Sequence, residues 1–184
     1  FQTNTFVGTG FVLANAGSQS ADGYEFDLVI SPTENIDLAV SGLFIDPIYD
    51  SYIGAAPGDL SGTVPSNTPE DTISSTITWN FNISGWDSFL RISHLYSSKA
   101  QLLENPVHQA LIEAQGNGYR EQDTLNLTAG FEKDNLSITL WGKNINDDEF
   151  LTSAFIGVAD LSETTFFGYP NSFKSYGLTL NYSF

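Results

Sequence analysis

The chain has 184 residues, 41% hydrophobic, 15% charged and 14% aromatic, with 22 Asp and Glu against 6 Lys and Arg, a net charge near −16. The size suits one domain or a piece of one, the apolar content excludes disorder for want of core material, and the carboxylate excess argues against nucleic acid as a partner and against a peripheral hold on an anionic lipid surface. Cysteine is absent, which removes disulfides, thiol nucleophiles and thiolate metal sites, while His94 and His108 alone leave little for zinc. With no methionine and Phe1 in first place, the chain reads as a fragment or a processed form. The opening FQTNTFVGTGF lacks the basic and apolar segments of a signal peptide. No apolar run approaches the roughly 18 residues a transmembrane helix needs, but a mean hydropathy of −0.10 is equally that of a membrane β-barrel, whose strands alternate apolar and polar residues.

Alternation with period two dominates the chain. A first strand is expected through Phe6 to Leu13, weakened by two glycines. Tyr24, Phe26, Leu28 and Ile30 then alternate with Glu25 and Asp27, and Ile36, Leu38, Val40 and Phe44 with Asp37, Ala39 and Ser41. The pattern continues in Ile73, Ile77, Trp79 and Phe81, in Leu90, Ile92 and Tyr96, in Leu125, Leu127, Ala129 and Phe131, and in Leu136, Ile138 and Leu140. It is cleanest at the end, where Tyr176, Leu178, Leu180, Tyr182 and Phe184 occupy every second place. About eight antiparallel strands result.

The connections alternate between short and long. Pro32 to Asn35, Asn82 to Asp87, and Asp134 with Asn135 are short; Pro47 to Pro69, Ala100 to Tyr119 and Asn146 to Asn171 are long. Brief turns at one end and extended loops at the other are the habit of outer-membrane barrels, whereas a soluble sandwich has no such need. The faces assigned outward (even positions in 24–30, 36–44, 90–96, 136–140 and 176–184, odd in 73–81 and 125–131) carry no Asp, Glu, Lys or Arg. Lipid requires this of an outward face, but a sandwich core would produce the same alternation; the loop asymmetry and the aromatic chain end favour lipid. The opposite set, Ser74, Thr76, Thr78, Asn126, Thr128, Gly130, Ser137 and Thr139, is small and polar, as for a strip of a wide lumen. An eight-stranded barrel must instead fill its interior with side chains, so an open, curved sheet with two unpaired edges is expected. In the loop 100–119, Asn105 as cap, Pro106 at the first position and Val107, Ala110, Leu111 and Ala114 on one stripe are consistent with a short helix or with an irregular loop.

Acidic clusters at Asp147, Asp148 and Glu149 and at Asp46 and Asp50 invite glycosidase or calcium readings. No fixed-spacing calcium loop exists and nothing sets one carboxylate opposite another, so they read as solvated loop charge. His94 has the residue type of a hydrolase base, yet it falls on the outward face beside Tyr96. Trp79, Phe81, Tyr182 and Phe184 gather at one end of the strands, as in an interfacial belt. Sequons at Asn82, Asn126, Asn135 and Asn181 lie on strands or tight turns and read as accidents of composition. No catalytic residue, metal site or cofactor is assigned.

Three stretches carry a family resemblance. NAGSQSADGYEFDLVISP (15–32), LWGKNINDDEF (140–150), with Gly142, Lys143, Asn144, Asp147 and a closing Phe150, and KSYGLTLNYSF (174–184) together resemble the C-terminal β-barrel of TonB-dependent outer-membrane receptors, over nearly the whole chain. Phe173 and Lys174 stand where the family commonly has Pro-Arg, so no role passes to Lys174. The resemblance implies that residues 1–184 are the last strands of a meander barrel of about 22 strands, without its plug, located in the outer membrane. It further implies energised uptake of a scarce nutrient such as a ferric siderophore, cobalamin or an oligosaccharide. The partners implied are outer-membrane lipid, a TonB-type energy-transducing protein acting through a missing N-terminal region, the barrel assembly machinery and an unidentified small ligand. If the long loops form the mouth, Tyr49, Tyr52, His108, Tyr119 and Phe167 are candidate ligand contacts, and Tyr176, Leu178, Leu180, Tyr182 and Phe184 resemble the assembly signal. A self-contained eight-stranded barrel and a soluble carbohydrate-binding sandwich are the alternatives.

Overall fold

The computed structural model describes residues 2–7, 10–15, 17–53, 58–156 and 165–184. Its strands are β1 (Gln2–Val7), β2 (Gly10–Asn15), β3 (Ser18–Thr33), β4 (Ile36–Ser51), β5 (Asp71–Ile83), β6 (Trp86–Gln101), β7 (Tyr119–Lys133), β8 (Leu136–Lys143), β9 (Leu151–Ile156), β10 (Phe166–Pro170) and β11 (Ser175–Tyr182), and one helix, α1 (Pro106–Glu113), lies between β6 and β7. Seven strands form one antiparallel sheet in the order β11-β8-β7-β6-β5-β4-β3. Sequence neighbours are spatial neighbours, except that the β9–β10 hairpin interrupts the step from β8 to β11. Among the described residues β3 and β11 are the sheet's edges, and the sheet does not close on itself.

Register shows that the assigned faces are one face. Across the sheet Ile30 pairs with Leu38, Leu38 with Ile77, Ile77 with Ile92, and Ile92 with Leu127. Leu127 pairs in turn with Gly142, and Gly142 with Tyr176. Directly opposed residues in an antiparallel ladder share a side, so all seven alternating sets point the same way. Aromatic side chains mark both limits of that side. Tyr24 stacks on Phe44 at 5.0 Å towards the loops, Trp79 lies 4.5 Å from Phe81 towards the turns, and Tyr182 meets Phe184 edge-on at 5.2 Å. On β6 the band runs from Trp86 to Tyr96; ten steps at ~3.3 Å, tilted about 40–45°, give a height of about 24 Å, the thickness of a barrel's apolar belt.

The turn end is tight. Ser84 (φ 56°) and Gly85 (φ 80°) both take the left-handed conformation that suits a two-residue hairpin to strand twist, and the Asn82 side chain accepts the Gly85 N–H at 3.1 Å. Glu34 and Asn35 turn β3 into β4, and Asp134 (φ 51°) with Asn135 turns β7 into β8.

Buried apolar residues lie at the loop end and not beneath the sheet: Tyr49, Tyr52, Leu60, Ala100, Leu102 and Ile112. The outward side chains stay open, with Leu28 49% and Leu180 62% exposed.

Three expectations need correction. The first strand, Phe6 to Leu13, is a hairpin in which Phe6 pairs with Phe11 and Val7 with Gly10, because alternation has no direction and persists through a reversal. The final strand stops at Tyr182, where the next amide, that of Ser183, bonds the Asn135 carbonyl at 3.0 Å. The loop 100–119 does contain the capped helix, but Val107 is 75% exposed, and the face that packs is Gln109 with Ile112.

Candidate functional site

The long loops after β4 and β6 fold against each other. Tyr49 and Tyr52 meet edge to face at 4.9 Å and pack on Leu60. The Tyr49 hydroxyl donates to Glu104 of the neighbouring loop. Asn67 ties the same two loops, its amide donating to the Gln101 carbonyl at 2.7 Å and its side chain to that of Leu102 at 3.2 Å. Burial, and then the hydrogen bond to Glu104, raise the Tyr49 phenol well above its ordinary range, so it remains a donor.

The helix is set by its cap. Asn105 accepts the Val107 and His108 amides at 3.0 and 3.4 Å, and Pro106 begins the helix, where a missing N–H costs nothing. Buried Gln109 accepts the Leu103 amide at 3.0 Å and donates to Glu113 at 2.9 Å. That bond, the Tyr119 hydroxyl and nearby Lys99 hold the Glu113 carboxyl below its usual range. Ser61 does the same for Asp59.

The motif residues form a knot beyond β8. Asn144 takes φ 50° and is 3% exposed; its amide donates to Asn126 at 3.0 Å, its side chain to the Asp148 and Ser172 carbonyls at 2.8 and 3.0 Å, and its Oδ1 accepts the Asp148 amide at 2.8 Å. Asp147, also left-handed at φ 61°, donates its amide to the Asn144 carbonyl. Asn171 completes the knot by donating to the Asp148 carbonyl at 2.7 Å and exchanging bonds with Phe150. Gly142 is small because a Cβ there would lie 2.8 Å from Ile145 and 2.9 Å from the ring of its cross-strand partner Tyr176. Lys143 rests 5.4 Å from the centre of the Trp141 ring. The knot seats the β9–β10 hairpin, on which Phe155 stacks with Phe167 at 5.3 Å and approaches Tyr169 at 6.0 Å. Sequence reasoning read Asp148 as solvated loop charge, whereas it is bonded to Asp123, Thr124, Asn144 and Asn171, and it passed over Asn171 and Gln109, whose roles depend on chain segments brought together only by folding.

The candidate ligand contacts do not form one surface. Tyr49 and Tyr52 are 4% and 6% exposed within the loop core, although Tyr49 also edges an inter-loop cleft of about 390 Å³ with Glu104 and Gln109. His108 sits half-buried on α1. Tyr119 edges a cleft of about 620 Å³ with Tyr96, Lys99, Glu113, Asp123 and Asp148, and Lys99 lies over its ring at 4.0 Å. Phe167 is apart on the hairpin, 52% exposed. His94 Nε2 is 2.5 Å from Asp123 Oδ1. Asp148 accepts the Asp123 amide and the Thr124 hydroxyl, and Asp50 accepts Ser20. At the chain end Tyr176, Leu178, Leu180 and Tyr182 share the outward face at 57–64% exposure, with Phe184 just past the strand.

The arrangement is a seven-stranded antiparallel meander with an apolar outward side, tight turns at one end and long, interlocked loops at the other. Among solved structures the chain is similar to the ferric yersiniabactin uptake receptor FyuA from Yersinia pestis, with TM-score 0.73, 14% identity, and coverage of 94% of this chain and 25% of that one. It is also similar to the siderophore receptor PiuA from Acinetobacter baumannii, with TM-score 0.67, 14% identity, and coverage of 98% and 24%. The chain thus spans about a quarter of the length of either structure. No protein-family model and no curated protein sequence matches it. The fold is that of a segment of the barrel of TonB-dependent outer-membrane receptors.

Proposed function

We propose that the chain is the C-terminal part of the barrel of an energised outer-membrane receptor, not an enzyme, and that the complete protein takes up a scarce nutrient, a ferric siderophore first among the candidates. The observation that carries this reading is the single outward face: seven strands in register, whose alternating apolar stretches carry no Asp, Glu, Lys or Arg and are edged by aromatics, on a fold similar to those of an uptake receptor and a siderophore receptor. Hydrocarbon is the solvent in which such a face is stable. The fused loops and the seated hairpin make a preformed outer rim that presents ligand-binding groups at low entropic cost. A plug elsewhere in the full protein, pulled by a TonB-type partner, then opens the path, and the aromatic chain end addresses the barrel to its assembly machinery.

The test is uptake. A strain lacking the full-length gene should lose accumulation of radioactive iron from at least one ferric siderophore, regain it from a plasmid copy, and lose it again on treatment with a protonophore. Uptake of every siderophore tested at the parental rate contradicts the reading.

A further inference from the structure

Asn117 and Gly118 form the only Asn-Gly step of the sequence, in the link between α1 and β7. The glycine is dictated by packing: a Cβ on Gly118 would stand 2.1 Å from Glu113 Cγ and 2.9 Å from Glu113 Cα, so the chain passes the end of the helix only without a side chain. The Gly118 carbonyl accepts the Leu102 amide at 3.4 Å and the side-chain nitrogen of buried Gln109, which ties the approach to β7 both to the preceding loop and to α1. The Gly118 amide, in contrast, has no hydrogen-bond partner among the described residues.

Asn117 is exposed. Its backbone amide donates to the Ile112 carbonyl at 3.1 Å and its Nδ2 to the Gln115 carbonyl at 3.1 Å, while among the described residues no donor holds its Oδ1. Other asparagines of the loop end are placed differently. Asn105 precedes Pro106, which has no N–H. Asn171, before Ser172, is fixed at both ends of its side-chain amide, by the Asp148 carbonyl and the Phe150 amide. The aspartyl counterpart, Asp22 with Gly23, lies within the β3–β4 ladder, where Gly23 stands opposite Ile45.

When the amide nitrogen that follows an asparagine attacks the side-chain carbonyl, a five-membered ring closes. The nucleophile is tethered to its target, with the high effective concentration of an intramolecular reaction, and before glycine no Cβ crowds the nitrogen or restricts the backbone. At Asn117 the nitrogen is also unbonded, so no hydrogen bond has to break first.

We propose that Asn117 is a site of spontaneous modification, deamidating through Gly118, and that the isoaspartate formed there unseats the junction between α1 and β7. The Gly118 nitrogen gives its proton to hydroxide and bonds to Asn117 Cγ. The Cγ–Nδ2 bond breaks and that nitrogen departs as ammonia, taking a proton from water and so restoring the hydroxide. Water then opens the succinimide. Cleavage at Cγ leaves aspartate; cleavage at the main-chain carbonyl leaves isoaspartate, in which the backbone runs through Cγ and is longer by one carbon. Nothing is oxidised or reduced. Aspartate adds a carboxylate to a cleft lined by Glu113, Glu121, Asp123, Asp148 and Glu149. Isoaspartate in addition displaces Gly118, which has no clearance from Glu113, and so pulls its carbonyl from Leu102 and Gln109.

The experiment uses the full-length receptor in detergent, kept in mildly alkaline buffer beside an isolated peptide of residues 100–120. Mass spectrometry and isoaspartyl methyltransferase labelling follow each product. Asn117 in the receptor should convert to isoaspartate and aspartate, with isoaspartate the larger share, faster at higher pH, and within about tenfold of the peptide, because no local opening has to precede attack. Asn171 should convert far more slowly, and Asn117→Gln should remove the fast reaction. In the aged receptor the amides of Leu102 and Leu103, bonded to Gly118 and Gln109, should exchange about tenfold faster or more, whereas Asn117→Asp should leave them unchanged. Conversion in the receptor slowed more than about tenfold against the peptide would show that the fold protects the step, and aspartate without isoaspartate would show that Gly118 is not the attacking group; either overturns the proposal. Unchanged exchange at Leu102 and Leu103 after ageing, or equal acceleration in Asn117→Asp, would overturn the claim that the lengthened backbone unseats the junction.

Discussion

Asn144 is where a short motif becomes geometry, and removing its side chain should free the β9–β10 hairpin. The side chain makes three hydrogen bonds at 2.8, 3.0 and 2.8 Å, to the Asp148 carbonyl, the Ser172 carbonyl and the Asp148 amide, in a position only 3% exposed. At roughly 1 kcal/mol net for each bond, Asn144→Gly should weaken closure of the knot by about 3 kcal/mol. Asn144→Ala should cost about 1 kcal/mol more, because φ is 50° and a Cβ is disfavoured in the left-handed region. Native-state hydrogen exchange reads this directly. The amides of Asp148, Phe150 and Asn171, all bonded within the knot, should exchange about a hundredfold faster in the Gly variant and nearly a thousandfold faster in the Ala variant, at 1.4 kcal/mol per tenfold. Amides in mid-β6 should be unaffected. Exchange within threefold of the parent in both variants, or a Gly variant more damaged than the Ala variant, would refute the reasoning.

Gly130→Ala, which would set a Cβ 2.1 Å from Phe89, should destabilise the full-length barrel by about 1–3 kcal/mol through overpacking, and Phe89→Ala should relieve it, giving a coupling of at least ~0.5 kcal/mol in urea unfolding. The Tyr49 phenol is raised from an ordinary value of 10.0. Its contribution is therefore complete below about pH 10 and lost as pH rises further, so the amides of Tyr49, Tyr52, Leu60, Gly62 and Thr63, all bonded within this loop, should lose exchange protection above pH 10 in the parent but not in Tyr49→Phe. Glu113 is depressed, so its contribution is present above the ordinary glutamate range and lost as pH falls through the lowered value; Glu113→Gln should flatten the acid limb of α1 unfolding. Deleting Phe184 should lower the folded outer-membrane amount far more than Leu140→Ala, although each removes a comparable apolar contact of roughly 1.5–3 kcal/mol; equal amounts by heat-modifiable mobility would make Phe184 an ordinary outward side chain.

The sheet was legible because one rule governs it. Alternation such as Leu28, Ile30 or Leu178, Leu180 assigns a side with no knowledge of partners, and the observed register joins those sides without a slip at Leu38, Ile77, Ile92 and Leu127. The turns were legible from their Gly, Asn and Asp residues. What escaped depends on contacts between distant segments. The exposure of Val107 and burial of Gln109 on α1 follow from the Leu103 amide and Glu113 that Gln109 binds, which a helical stripe cannot reveal. The β9–β10 hairpin lay hidden in a stretch expected to be loop, because its seat is made by Asn144 and Asn171, far apart in sequence. The reversal between Val7 and Gly10 was invisible to a pattern without direction. Tyr49 and Tyr52, chosen as ligand contacts for being aromatic in a loop, proved to supply the loop's own core.

The central claim is that one side of this sheet meets lipid and the other an aqueous lumen, and this chain has no cysteine to compete with a label placed in it once any cysteine elsewhere in the full-length receptor is replaced. Single cysteines placed along β6 at Leu90, Arg91, Ile92, Ser93 and Leu95 in the full-length receptor, spin-labelled and reconstituted in a bilayer, report access to oxygen, which concentrates in lipid, and to a water-soluble nickel chelate. The account predicts strict alternation, with labels at Leu90 and Ile92 accessible to oxygen and those at Arg91, Ser93 and Leu95 accessible to nickel. Labels at Leu90 and Ile92 shielded from both reagents, as in a sandwich core, or accessible to nickel would contradict it.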